Sequence, residues 1–209
     1  MKAEEYAIVL DYLPRGKSSA HKSEPIAQVL GTEYFTFLEV VPKEGVELKG
    51  MEKVYVGKEN RDKIDFIRRR IGFSDLTSNS VSEVEKAVEM LVRENEAKFV
   101  AFFNNAQPIT LKRHQFELLP GLGKKHMLAL VQEREREPFK SYKDIEERVR
   151  LMPNPVKTLI RRIMEELEGE EEKHYLFARP PALERDQGRF GDREGFGARR
   201  QFVKPAEQA

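Results

Sequence analysis

The 209 residues include no cysteine and no tryptophan. Without cysteine the chain can form neither a disulfide framework nor a thiolate metal site, and it has no thiol nucleophile. That fits a reducing compartment, so a cytoplasmic location is expected. Long apolar runs are also missing: no stretch approaches the roughly 18 to 20 residues that a membrane-spanning helix needs. The opening Met1-Lys2-Ala3-Glu4-Glu5 lacks the apolar core of a secretion signal. A soluble, unexported protein with no membrane partner is expected. There is no Gly-x-Ser-x-Gly elbow, Walker phosphate loop, dinucleotide fingerprint or His-Glu-x-x-His. His21, His114, His126 and His174 stand apart, none at the i, i+4 spacing of a helical metal pair. No catalytic residue, metal site or cofactor is therefore expected, and the chain reads as a non-enzyme.

Charge is plentiful, at 35% of residues, and the net value of +1 conceals its distribution. Between Gln107 and Met164 there are 13 Lys and Arg against 7 Asp and Glu. The sign then reverses at Glu165, Glu166, Glu168, Glu170, Glu171 and Glu172. A basic unit with an acidic border suits a polyanion-binding module, although a solvated helix face gives the same pattern.

The first 57 residues have strand character. Tyr6 to Leu13, Ile26 to Leu30, Tyr34 to Val41 and Val54-Tyr55-Val56 are rich in β-formers, with turn chemistry between them at Pro14 to Ser19, Leu30-Gly31-Thr32 and Pro42 to Gly45. Short strands at about ten-residue spacing predict a small OB-like barrel rather than a parallel sheet. A helix is predicted over Glu59 to Ile71 from the spacing of Ile64, Ile67 and Ile71, and a second from a Ser80-x-x-Glu83 capping box with Val81, Val84, Val88 and Leu91 as its apolar stripe. Ala97 to Phe103 fits a strand or a helix, with the strand preferred. Asn104 to Pro108 is polar and ends in proline, which makes it the best domain boundary. From Glu170 onward apolar content falls away. Arg179-Pro180-Pro181 leads into a Gly/Arg/Phe segment from Arg185 to Arg200, which is expected to be disordered and able to contact RNA or merely to solubilise.

The most informative run is Phe116 to Arg134, centred on Leu119-Pro120-Gly121-Leu122-Gly123-Lys124. Pro120 and Gly121 suit a tight turn out of a first helix, Leu122 can plug inward, and Gly123 permits close backbone approach. A helix beginning at Lys124 would offer free amides and the positive end of its dipole, a natural phosphate site. Ser141 and Asp144 form a further Ser-x-x-Asp cap. This run resembles the helix-hairpin-helix motif of DNA repair and recombination proteins. The motif usually occurs in pairs, and the resemblance implies a second hairpin near Leu151-Met152-Pro153-Asn154-Pro155-Val156. There the match is degenerate: Asn154 can take the turn conformation, and Pro155 has no amide to donate. The whole chain, over roughly residues 5 to 180, also resembles an uncharacterised archaeal family carrying an RNA-binding label, through Tyr6 to Leu13, Lys53 to Gly57 and the Leu-Pro-Gly-Leu-Gly core. That resemblance implies RNA rather than DNA as ligand.

The expectation is therefore an α+β chain: an OB-like barrel with added helices over 1–104, an all-α helix-hairpin-helix domain over 107–168 and a flexible tail over 169–209. Its function would be non-catalytic nucleic-acid binding. Gly121, Gly123, Lys124 and Lys125 would bind phosphate, with supporting contacts from Arg15, Lys17, Lys22, Lys157, Arg161 and Arg162. Tyr12, Tyr34, Phe35 and Phe37 could stack on bases, although most of such strand aromatics belong to the core. The alternative is a protein–protein interaction module in a larger nucleoprotein assembly.

Overall fold

A computed structural model describes residues 3–16, 24–169 and 174–180. Predominantly apolar sequence forms the central strands because they are covered on both faces. β1 (Tyr6–Leu13), β2 (Ile26–Gly31) and β3 (Phe37–Pro42) pair antiparallel, with β4 (Lys53–Tyr55) beside β1 and β5 (Ile64–Arg70) beside β3, in the order β4-β1-β2-β3-β5. The result is a curled half-barrel. Side chains alternate along β1: Ala7 and Val9 join Ala27, Val29, Val40 and Ile64 in one cluster, while Ile8 and Leu10 join Leu30, Phe35 and Phe37 against the helices.

The helix predicted over Glu59 to Ile71 is instead β5. Its register skips Asp65 and Arg68, since Pro42, Val41, Val40, Glu39 and Leu38 oppose Ile64, Phe66, Ile67, Arg69 and Arg70. Each bulge inserts one residue into a period of two. Ile64 and Ile67 thereby come to one face at a spacing of three, whereas Ile71 packs in the other cluster. A single bulge, at Asp65, thus imitates the first step of a helical period.

α1 (Ser78–Glu94) has its N-cap three residues before the proposed Ser80 cap. Thr77 is the N-cap and accepts from the Ser80 amide at 3.0 Å. Ser80 is buried, and its hydroxyl donates to Gln28 Oε1 at 2.7 Å. That same oxygen accepts from the Thr77 amide, and Gln28 Nε2 donates to the Asp75 carbonyl. The buried amide of β2 thus fixes where α1 begins. Val84, Ala87, Val88, Leu91 and Val92 form the inward face, and Val81 is exposed. The segment preferred as a strand is α2 (Glu96–Asn105), which buries Phe99, Val100 and Phe103 at helical spacing.

After α2 come a small hairpin, β6 (Pro108–Thr110) with β7 (Arg113–His114), and then α3 (Lys124–Arg136), α4 (Tyr142–Arg148) and α5 (Pro155–Glu168). Ser141 caps α4 through the Asp144 amide, as its spacing predicts. The Asn104 side chain exchanges two hydrogen bonds with the backbone of Phe139, and one apolar cluster runs from Ile8 through Phe103, Phe116 and Leu159 to Ala178. The part of the expected tail that lies within the described residues is packed: the amides of Leu176, Phe177 and Ala178 donate to the buried Glu166 carboxylate at 2.7 to 2.9 Å. The Gly/Arg/Phe segment from Arg185 to Arg200 lies outside the described residues.

Candidate nucleic-acid interface

Leu119 to Lys124 is a turn feeding a helix. The Leu122 amide donates to the Leu119 carbonyl at 3.1 Å, with Pro120 and Gly121 as the central residues and Gly121 at φ +81°. Proline then a left-handed residue is the pattern of a type II turn. Leu122 is buried, as its plug role requires. The expected first helix is only a 3₁₀ turn, Gln115–Leu118, held by reciprocal bonds: His114 Nδ1 accepts from the Phe116 amide and Glu117 accepts from the His114 amide. Burial, then the nearby Arg134 guanidinium, holds the His114 pKa below its ordinary 6.5.

α3 begins at Gly123, which has no side chain to cap it. α1, α4 and α5, by contrast, begin at Thr77, Ser141 and Asn154, whose side chains accept first-turn amides. The first amides of a helix have no acceptor within it, so those of α3 stay available. A Cβ built on Gly123 meets nothing within 4 Å and its φ of −97° is ordinary, so neither packing nor conformation inside the protein demands glycine there. Lys124 and Lys125 are exposed and form no ion pair among the described residues.

A turn stands close to where the second hairpin is expected, at Val149–Met152, just before Pro153 and Asn154. The Met152 amide donates to the Val149 carbonyl at 3.3 Å, and Leu151 takes φ +62°. Leu151 therefore occupies the position that Gly121 holds in the first turn. Asn154, expected to make the turn, is the N-cap of α5 and accepts from the Lys157 amide at 2.9 Å. The two turns also touch: a Cβ on Gly121 would lie 3.3 Å from Pro153 Cγ.

The remaining candidates divide. Lys157 is exposed without an ion pair among the described residues, and Arg161 is exposed beside Glu165 at 3.4 Å. Arg162 is a correction: only 4% exposed, it pairs with Glu166 at 2.8 Å and donates to the His174 carbonyl, so it is spent inside the fold. Its i+4 partner was visible in the sequence, but the covering residues 174–178 were not. Arg15 is exposed in the turn after β1; Lys17 and Lys22 lie outside the described residues. Phe35 and Phe37 are core, Tyr34 lies under the Arg179 guanidinium at 4.7 Å, and Tyr12 bonds the Val46 carbonyl. The more exposed strand aromatics are Tyr6, packed edge-on against Tyr55, and Phe66. Sequence reasoning missed both; Phe66 sat within the misread helix.

It also missed a hollow of about 440 Å³ between the β6–β7 hairpin and α3, which reaches Lys124. Arg134, one of its lining residues, donates to the carbonyls of Phe103 and Ala106, a structural use. No group of three or more His, Asp or Glu able to hold a metal occurs among the described residues, and no described helix is long and apolar enough to cross a membrane.

These features define a mixed α+β protein in which a curled antiparallel sheet shares an apolar core with paired helical turns. The chain belongs to the family described as protein of unknown function DUF655, whose model matches residues 3–179. It is 44% identical over 179 residues to the uncharacterized protein MJ0038 of Methanocaldococcus jannaschii, covering 85% of this chain and 81% of that protein. The crystal structure of Af1531 from Archaeoglobus fulgidus, assigned to the same family, is similar at a TM-score of 0.76 and 40% identity, over 84% of this chain and all of that one. Both relatives come from archaea, in keeping with the archaeal family that the sequence resembles.

Proposed function

We propose that this chain is a non-catalytic, cytoplasmic nucleic-acid-binding protein, with RNA favoured over DNA, that grips the phosphate backbone at the N-terminus of α3 in a helix-hairpin-helix arrangement. The observation that carries this reading is a helix start without a side-chain cap, at a glycine facing open space, followed by two exposed lysines that form no ion pair among the described residues. Lysines in a first turn oppose the helix dipole. An anion shared between them and the free amides removes that conflict. Gly121 shapes the turn, Gly123 lets a phosphate reach the backbone, and Lys124 and Lys125 supply charge. Lys157 and Arg161, at the start of α5 and one turn further along it, give a second, weaker contact, because Asn154 already occupies one amide there and Pro155 offers none. Five antiparallel strands in a partly open curl suit an OB-like domain, which would supply any base preference.

The test is fluorescence anisotropy against structured RNA, single-stranded RNA and duplex DNA over a salt series, with wild type and Lys124→Glu/Lys125→Glu. Wild type should bind with a log–log salt slope of about −0.7 to −0.9 per phosphate contacted. The charge reversal should abolish binding while raising the melting midpoint, since acidic residues favour a helix start by about 0.3–1 kcal/mol each. Salt-insensitive binding, or binding retained by the variant, overturns the assignment.

A second reading, a protein–protein interaction module, is favoured by the second hairpin, whose capped start and buried Arg162 serve packing. It predicts no nucleic-acid binding by wild type.

A further inference from the structure

The hollow between the β6–β7 hairpin and α3 shares Lys124 with the proposed phosphate grip, and the rest of its lining takes no part in that grip. We propose that it receives an unstacked nucleobase of a single-stranded RNA whose backbone is held at the start of α3. This rests on the nucleic-acid reading above.

Two kinds of side chain meet around the hollow. On one side is the tip of the hairpin, Leu111, fully exposed and followed by exposed Lys112 and Arg113. On the other is one face of α3, where Lys124, Leu128 and Val131 recur at helical spacing and Leu128 is 55% exposed. A single exposed leucine carries no information. Two that flank one hollow, lined also by Lys112, Arg113 and Lys124, which form no ion pairs among the described residues, and by Glu117 and Glu135, make an apolar slot with a charged mouth. A nucleotide has the matching form, a flat apolar face carried on an anionic phosphate. The volume of about 440 Å³ falls within the ~300–1,000 Å³ of small-molecule sites. Lys124 belongs to both the hollow and the helix start, so a strand held there by its phosphate places its next base at the slot.

The hairpin is built to hold its tip in place. The Gln115 amide donates to the Gln107 carbonyl, Gln115 Oε1 accepts from the Gln107 amide, and Thr110 Oγ1 accepts from the Lys112 amide across the turn. His114, at its base, stacks on Phe116 with ring centroids 4.8 Å apart. Leu111 can therefore act as a wedge that keeps the base separated from its neighbour, as apolar wedges do between base steps elsewhere. Duplexes keep their bases stacked, so the slot favours single-stranded RNA, whose bases can be splayed out.

The experiment uses the full chain and a decamer RNA carrying 2-aminopurine at a central position, read by both base fluorescence and anisotropy. Wild type and Leu111→Ala/Leu128→Ala are compared over a salt series; both leucines are exposed, so the variant should fold, which circular dichroism verifies. The expected result is a rise in 2-aminopurine fluorescence on wild-type binding. In the variant the rise should vanish and affinity should fall roughly tenfold, while the salt slope stays unchanged because the phosphate contacts remain. Salt-dependent binding without a fluorescence rise, or with the variant equal to wild type, overturns the base slot and leaves the phosphate grip standing. Failure of wild type to bind any nucleic acid overturns both and turns the apolar hollow into a docking groove for a protein.

Discussion

Gly121 and Leu151 hold the same left-handed backbone at matching places in two turns, at φ +81° and +62°, yet only one of them is glycine. A side chain in that region costs about 1 kcal/mol relative to glycine. Gly121→Ala should therefore destabilise by about 1–2 kcal/mol, because the strain is joined by a 3.3 Å contact with Pro153 Cγ. Leu151 is 86% exposed, so Leu151→Gly gives up little packing and should stabilise by about 0.5–1 kcal/mol. Urea titrations of the two variants check this, and a Leu151→Gly midpoint below wild type would contradict the matched-turn account. At this scale the sequence announced one member of the pair and hid the other. Pro-Gly is a turn signal that needs no context, whereas Arg150-Leu151 carries no such signal and turns in a setting where Pro153 lies near Gly121 and Asn154 caps α5. Arg162 was misjudged for the same reason: its charge is local information, but its burial is supplied by a strap more than ten residues away.

Among the elements, α1 shows how a helix start is set from outside itself. Thr77 Oγ1 accepts from the Ser80 amide, and its hydroxyl donates to Asp11 Oδ2 at 2.7 Å, joining the cap to β1. Thr77→Ala removes both the cap and this tertiary bond, so the loss should lie in the upper part of the usual cap range, at about 1–2 kcal/mol. Ser82→Ala is a control, since Ser82 is exposed and bonds only the carbonyl of Asn79. Equal denaturation midpoints for the two variants would show that Thr77 does not anchor α1. β1 to β3 could be read from composition because burial on both faces leaves runs that are apolar apart from Asp11, Gln28 and Glu39. β5 could not, because the bulge at Asp65 converts alternation into a false helical spacing that Ile71 continues in the sequence, though not on the same face. α2 was missed as a helix because it resumes at Glu96 directly after the Asn95 cap of α1, with no starting signal of its own. The candidate phosphate site was legible because everything it needs lies within six consecutive residues, whereas the hollow beside it joins residues from 108 to 135 and exists only once the hairpin folds onto α3.

The molecule as a whole is closed by residues 174–180, which run back from α5 to the sheet. Glu166, only 2% exposed, accepts three amides of this strap and also binds Arg162, so its charge is fully compensated only while the strap is in place. Phe177 packs against Phe99 and Phe102 on α2, and Ala178 is buried. Next to it the Arg179 amide donates to the Tyr34 carbonyl, and Arg70 of β5 binds the carbonyls of Arg179 and Pro180. One short segment thus links α5, α2 and the sheet. Breaking a buried charge network by removing partners costs about 3–5 kcal/mol, reduced where water can replace the lost donors. Loss of the Phe177 contacts adds about 1–2 kcal/mol. A chain ending after Lys173 should therefore melt about 10 °C below one ending after Pro180, given roughly 2–4 °C per kcal/mol at this size. The comparison of the two truncations isolates the strap, because both lack everything beyond Pro180. Glu166→Gln in the longer chain should reproduce part of the same loss: it keeps the shape but weakens the acceptor and leaves Arg162 without its buried counter-charge. If both truncations melt together, Glu166 finds its partners elsewhere and the strap does not close the fold.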